Sequence, residues 1–267
     1  MATPAIENIV NFYNDVEITF IGSFVSIEAM KDHPKAVKTV VLDKKYSVLY
    51  KNAKGLGGFD VFFSFRSSVR SKFLKFLISA QNKYQFDKSR YINCHQVKKY
   101  NDFVNDSLEI NSNPGKLKLY KNEQPLNTSQ RPILGINPGA SYGSAKRWYP
   151  EEFAKVASEL SSQYDIVIFG GPGEKDIAMD IEQSLIEKGV DNYQNLAGST
   201  TIPELIDHIS KLDLFITGDS GPMHVAAAFQ VPTVAIFGPT KDNETSQWMN
   251  DKSIIVKKNL DCQPCMK

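Results

Sequence analysis

The sequence is poor in the features that mark secreted and membrane-spanning proteins. It has three cysteines in 267 residues, too few for a disulfide framework, which favours a reducing cytoplasm. No apolar run approaches the roughly 20 residues needed to cross a bilayer. The first residues, 1–5, show no basic segment followed by an apolar stretch, so we expect neither a membrane anchor nor a signal peptide.

What is present is typical of a soluble globular protein long enough for two domains: 42% hydrophobic and 23% charged residues. The net charge of +1 hides an asymmetry, since residues 1–130 carry +7 and residues 131–267 carry −6. Residues 66–99 hold nine basic residues against Asp87 alone. This segment is either a solvated face or a surface for an anionic partner: nucleic acid, phospholipid headgroups or an acidic glycan.

Short apolar runs alternate with amphipathic stretches, a pattern that predicts βα units and parallel sheets. In the stretch from Val69 to Ala80, apolar residues recur with helical spacing, so we expect a helix whose apolar stripe is buried. Its members are Val69, Phe73, Phe76, Leu77 and Ala80. Strands are predicted over 17–22, 38–43, 59–65, 133–137, 165–171, 212–217 and 231–238.

A polar segment rich in turn formers, 111–132, separates the two halves and indicates a domain boundary. We therefore predict an α/β protein with domains over 1–125 and 131–267. The second half alternates strands and helices most regularly, which favours a doubly wound parallel sheet there.

The loop 217–224 follows an apolar strand and precedes an alanine-rich helix. Its small residues let a ligand approach the backbone, and the helix N-terminus favours a phosphate. Asp219 can accept hydrogen bonds from sugar hydroxyls, and His224 can donate to a phosphate or a leaving oxygen. The alternative is a tight turn capped by Asp219 and Ser220.

Two further loops occupy equivalent positions after strands. The loop 137–148 carries Lys146, whose ammonium group can neutralise a diphosphate, although loop lysines are commonly just solvated. The loop 170–174 carries Glu174, a carboxylate able to bind ribose hydroxyls. It lacks the Gly-x-Gly-x-x-Gly spacing, so it is no dinucleotide fingerprint.

Together these loops form an ordered set of four motifs that resembles the ADP-heptose:lipopolysaccharide heptosyltransferases, with the heptosyltransferase II group nearest. The resemblance is strong over 131–267 and looser before, where 3–6 and 65–71 look like family segments. It implies a GT-B fold of two Rossmann-like domains. The motifs are Asn137-Pro138-Gly139-Ala140 with Ser144-Ala145-Lys146-Arg147-Trp148, then Phe169-Gly170-Gly171, then 213–224, then Ala235-Ile236-Phe237-Gly238-Pro239-Thr240.

The resemblance also implies a reaction: heptose passes from ADP-heptose to the lipopolysaccharide inner core with inversion, at the cytoplasmic face of the inner membrane. The donor lies in the second domain and the acceptor in the first. The implied acceptor is acidic, which would explain the basic segment 66–99. No nucleic-acid partner is therefore implied. No metal or other cofactor is implied, because an Asp-x-Asp pair is absent and Lys146 with helix N-termini can stabilise the leaving diphosphate. The implied donor residues are Ser141, Lys146, Glu174, Asp219, Ser220, Gly221 and His224; the implied acceptor residues are Arg66 and Arg70.

The sequence departs from the family at its ends. Relatives place a strand and a Gly-Asp loop before the segment resembling 2–5, so the resemblance implies that the opening strand and the general base lie upstream of Met1. No replacement base is evident, since Glu7 is expected on the surface. Cys262 and Cys265 form a Cys-x-x-Cys pair without further ligands, and we expect no metal there. A catalytically silent donor-binding protein and a transferase of another nucleotide sugar stay open as alternatives.

Overall fold

The computed structural model describes residues 1–43, 45–121, 131–139, 146–258 and 260–265. The chain divides into two compact units, Met1–Gly115 and Lys116–Lys267. The division falls ten residues before the end we predicted for the first domain, at residue 125. Residues 116–121 belong with the second unit because Lys121 Nζ lies 3.1 Å from Asp207 Oδ1 and 2.5 Å from Ser210 Oγ.

The first unit contains two two-stranded parallel sheets, β1 with β2 and β3 with β4. Apolar side chains of α3 and α4 cover β3 through a cluster around Leu49 and Leu74. Side chains of α1 and α5 form a separate cluster around Phe86 and Phe103. The elements are α1 (Thr3–Tyr13), β1 (Ile18–Gly22), α2 (Phe24–Met30), β2 (Ala36–Val41), α3 (Tyr46–Lys54), β3 (Gly58–Ser64), α4 (Val69–Leu77), β4 (Ser79–Gln85) and α5 (Gln96–Leu108).

The predicted helix over 69–80 is wrong in its end, and its buried stripe is only partly confirmed. The helix stops at Leu77, and the polar run Ser79–Gln85, which we did not predict as a strand, pairs with β3. Val69 and Phe76 are 79% and 80% exposed, whereas Phe73, Leu77 and Ala80 pack partly buried against the core. The side chains that α4 buries are those of Ser71 and Leu74.

The described strands of the second unit form a six-stranded parallel sheet with the order β7-β6-β5-β8-β9-β10. In chain order this is 3-2-1-4-5-6, the doubly wound arrangement, and its direction of winding reverses between β5 and β8. Clusters on both faces of the sheet cover the strands. The elements are β5 (Ile133–Asn137), α6 (Pro150–Leu160), β6 (Asp165–Ile168), a 3-10 turn (Pro172–Glu174), α7 (Lys175–Glu187), β7 (Tyr193–Asn195), α8 (Ile202–Ser210), β8 (Leu214–Gly218), α9 (Gly221–Ala228), β9 (Thr233–Phe237), α10 (Asp242–Thr245) and β10 (Ser253–Lys257).

The four strands predicted in this half are confirmed, most of them shorter than expected, whereas β7 and β10 were missed.

Several helices of the second unit begin at residues that favour helix initiation. Thr201 and Glu204 form a reciprocal capping box at α8, and prolines begin α6 and stand in the first turns of α8 and α9. No helix in the described part of the chain is long and apolar enough to span a membrane.

Asp207 ties the start of the second unit to α8. Burial opposes ionisation of its carboxyl, but hydrogen bonds from Lys211 and Lys121 outweigh that effect and hold the pKa of Asp207 below its ordinary value. The two ammonium groups lie 2.6 and 3.1 Å from its oxygens.

Candidate functional site

The carboxyl ends of β5 and β8 meet at the point where the sheet reverses its winding, which is where open α/β sheets bind ligands. Asn137 ends β5 and is 3% exposed, and Thr217 in β8 is fully buried. Asn137 Nδ2 donates to the Gly139 carbonyl oxygen at 3.2 Å and to Thr217 Oγ1 at 3.3 Å. Thr217 Oγ1 lies 3.1 Å from Ser220 Oγ. This network fixes the loop after β8 against the loop after β5.

Lys146 and Asp219 form an ion pair in the same crevice. Lys146 Nζ lies 2.8 Å from Asp219 Oδ2, with 19% and 9% of the two side chains exposed. The sequence assigned these residues to different parts of a ligand, and the structure places them in contact. An ammonium group has three N–H donors, one of which this pair uses.

The loop after β8 leads directly into α9, whose N-terminus lies beside the ion pair. Ser220 is the N-cap residue, but its hydroxyl contacts Thr217 instead of capping the helix. The first N–H groups of a helix and the positive end of its dipole attract anions. Gly221 is exposed at this end, and His224 lies half-buried one turn later. The arrangement can therefore bind a phosphate group.

Glu174 enters from the third loop, in the 3-10 turn after β6. Its Oε2 accepts a hydrogen bond from the Gly171 N–H at 2.7 Å. The carboxylate packs so closely on Gly139 that a Cβ atom there would overlap it. A larger residue at 139 would therefore displace the Glu174 carboxylate, which lies at the same edge as the Asn137 network.

Ser141, the remaining donor-side prediction, lies outside the described residues. The acceptor-side predictions, Arg66 and Arg70, lie in the first unit between the end of β3 and the first turn of α4. Arg66 is exposed and Arg70 half-buried. The Arg66 carbonyl oxygen accepts a hydrogen bond from Ser71 Oγ at 3.0 Å, which fixes this turn.

Comparison with known proteins shows the family to which the chain belongs. The pattern of the family described as glycosyltransferase family 9 (heptosyltransferase) matches residues 58–267. The chain belongs to this family of heptosyltransferases. A relative, lipooligosaccharide heptosyltransferase 2 of Campylobacter jejuni serotype O:2, is 43% identical over the whole chain and 85% of its own length. The serotype O:6 protein of the same name is 40% identical over the whole chain and 86% of its own length.

Solved structures show the fold of this heptosyltransferase. A family 9 glycosyltransferase from Veillonella parvula matches with a TM-score of 0.82 at 22% identity, over 96% of this chain and 81% of that one. Escherichia coli ADP-heptose LPS heptosyltransferase II matches with a TM-score of 0.80 at 20% identity, over 99% and 91% of the two chains. The predicted GT-B fold with parallel sheets is confirmed.

Sequence reasoning missed three residues of this heptosyltransferase's candidate site: Asn137, Thr217 and Thr240. Thr240 follows β9, is 8% exposed, and its Oγ1 has no hydrogen-bond partner within the described ranges. In the sequence, these three residues could have been found as polar residues at or just beyond the end of an apolar strand. Such residues are costly to bury unless something binds them.

Glu7 was expected on the surface, and the structure gives it a buried partner instead. Its Oε1 lies 3.1 Å from Nε2 of His33, a residue 4% exposed. His33 Nδ1 accepts a hydrogen bond from the Lys35 N–H, so Nε2 is the nitrogen that donates to Glu7. Within the described ranges no three His, Cys, Asp or Glu side chains come together as a metal site.

Proposed function

We propose that this chain transfers heptose from ADP-L-glycero-D-manno-heptose to the inner core of lipopolysaccharide, with inversion at the transferred carbon. Relatives 40–43% identical over the whole chain are named for this kind of transfer. The observation that carries the proposal is the contact between Lys146 and Asp219 directly before the N-terminus of α9. It combines a cation and a helix dipole for the diphosphate with a carboxylate for sugar hydroxyls.

In this proposal each donor-side residue binds one part of ADP-heptose. Lys146, Ser141, Gly221 and His224 bind the diphosphate, and Asp219 with Ser220 orients the heptose. Glu174 binds the ribose through the carboxylate oxygen that Gly171 does not engage.

The reaction follows from that placement. An acceptor hydroxyl attacks the anomeric carbon from the face opposite ADP, the bond from that carbon to the diphosphate oxygen breaks, and ADP leaves. Lys146 and the helix N-terminus stabilise the charge that develops on the leaving diphosphate, so no metal is required. A general base removes the proton of the hydroxyl, and we assign it to no residue of this chain.

On the acceptor side, Arg66 and Arg70 bind the anionic groups of an inner-core oligosaccharide. Guanidinium groups form bidentate hydrogen bonds with carboxylates and phosphates. The nine basic residues of 66–99 add a favourable field for such an acceptor. We infer that the protein acts in the cytoplasm, in peripheral contact with the cytoplasmic face of the inner membrane.

The direct test is incubation with ADP-heptose and a core acceptor that already carries one heptose, followed by mass spectrometry. A mass increase of one heptose, lost in Lys146→Ala and Asp219→Ala, supports the proposal. Calorimetric binding of ADP-heptose without product would identify a silent donor-binding protein instead. Stronger thermal stabilisation by UDP than by ADP would assign the site to another nucleotide sugar.

A further inference from the structure

Large apolar side chains on α3 and α4 point into solvent. Tyr46 and Tyr50 on α3 are 53% and 51% exposed, and Val69 and Phe76 on α4 are 79% and 80% exposed. The rings of Tyr46 and Phe73 meet edge to face, with centroids 5.5 Å apart, and so join the two helices. We call the solvent-facing residues of these helices the α3–α4 face. Contiguous exposed apolar surface of this kind marks an interaction site.

The charge of the same two helices has one sign. Their 18 residues include five basic and no acidic ones. Lys51, Lys54 and Lys72 are exposed, and Lys54 Nζ lies 6.0 Å from the centroid of the Tyr50 ring. The α3–α4 face therefore combines the apolar surface of tyrosine, phenylalanine and lysine side chains with the positive charge at the ends of the lysines.

We propose that the α3–α4 face docks on the surface of an anionic phospholipid bilayer. Aromatic rings insert at the level of the headgroups, and lysines nearby gain from the negative surface potential of the leaflet. Nine-residue helices are far too short to span the membrane, so they lie on it. A second copy of the chain is a poor occupant, because face-to-face contact would oppose five cations with five cations.

Docking through the α3–α4 face would also bring the bilayer close to the proposed acceptor residues, an inference that rests on the proposed function. Val69 precedes Arg70 in the first turn of α4, directly after the turn that carries Arg66. A bilayer on this face would present a lipid-linked glycan beside the proposed acceptor arginines. The docking itself requires only the exposed rings and the lysines of the two helices.

The test is co-sedimentation of the full chain with sucrose-loaded vesicles of phosphatidylcholine, alone or mixed with phosphatidylglycerol. We expect binding to the mixed vesicles that weakens as salt is added. Lys72→Glu with Lys75→Glu should lower that binding more than about tenfold, since each cation near an anionic surface contributes about a fivefold gain. Val69→Ser with Phe76→Ser should also lower it and leave its salt dependence in place.

The matched control is Lys155→Glu with Lys188→Glu, the same change of charge at exposed lysines of the second unit. Its binding should stay within about twofold of the unchanged protein. Equal losses in the control and the α3–α4 variants, or no binding to mixed vesicles, would overturn the proposal. A dimer that Val69→Ser with Phe76→Ser abolishes, without vesicle binding, would assign the face to a second copy.

Two further measurements separate loss of docking from unfolding of the variants and from loss of heptose transfer. Circular dichroism and the melting temperature of each variant exclude unfolding, which is not expected at such exposed positions. Transfer to a water-soluble acceptor fragment should proceed at the unchanged rate in Val69→Ser with Phe76→Ser, which keeps every basic residue of 66–99. Charge-dependent vesicle binding without any heptose transfer would refute the proposed function and leave the docking surface standing.

Discussion

The ion pair between Lys146 and Asp219 allows the two proposed roles to be separated by experiment. At 2.8 Å and an effective dielectric constant of about 20, the Coulomb attraction is about 6 kcal/mol, much of it offset by desolvation. Removing one partner of a buried pair costs about 3–5 kcal/mol. Because 19% of the Lys146 side chain is exposed, we expect Lys146→Ala to cost about 2–3 kcal/mol. That lowers the melting temperature by roughly 5–10 °C.

The binding of ADP, which has no heptose to contact Asp219, distinguishes the two residues. A charge-assisted hydrogen bond contributes about 1.5–3 kcal/mol, so Lys146→Ala should weaken ADP binding about 10- to 150-fold. Asp219→Asn keeps the shape and removes an anion beside the diphosphate. It should therefore leave ADP binding unchanged or tighten it, while heptose transfer is lost.

Isothermal titration calorimetry with ADP and with ADP-heptose measures both effects. Lys155→Ala, which removes an exposed lysine from α6, is the control and should bind both ligands normally. If Asp219→Asn weakens ADP binding as much as Lys146→Ala does, Asp219 acts by holding Lys146 and not by binding the sugar. Unchanged ADP binding in Lys146→Ala would refute the diphosphate assignment itself.

Three further changes follow: two test residues around the site, and the third tests the acid stability of the second unit. Gly139→Ala should displace the Glu174 carboxylate and so weaken nucleotide binding, with a loss of stability of about 1 kcal/mol at most. Gly173→Ala, with open space at its Cβ, is the control, and equal ADP affinities of the two variants would contradict the packing argument. Thr240→Val should leave the free energy of unfolding unchanged or raise it, because the hydroxyl is unpartnered among the described residues. The same change should weaken ADP-heptose binding about fivefold. A clear loss of stability would show that the hydroxyl already has a partner in the fold. The pKa of Asp207 is held below its ordinary value in the folded state, so its stabilising effect is present above about pH 4 and is lost as the pH falls through the depressed pKa. Urea unfolding at several pH values should show this acid-dependent loss in the unchanged protein and a flatter profile in Asp207→Asn, and parallel profiles would contradict it.

The sequence by itself determined the fold class and most strands of the second unit. Buried parallel strands are continuous apolar runs, and residues 133–137 and 212–217 are of that kind, so their identity is written locally. Strand β4 escaped prediction because its residues are largely polar and only its pairing with β3 makes it a strand. The loops of the candidate site were also visible in the sequence, because small and charged residues directly follow apolar strands.

Only the tertiary structure decided how those residues meet. The contact between Lys146 and Asp219 joins positions 73 residues apart, and it exists because β5 and β8 are neighbours in the sheet. Helical spacing likewise placed Val69 and Phe76 on one stripe, but periodicity does not say which stripe faces the core. The sheet packs on the face of α4 that carries Leu74, and that choice leaves Val69 and Phe76 exposed, as are Tyr46 and Tyr50 of α3.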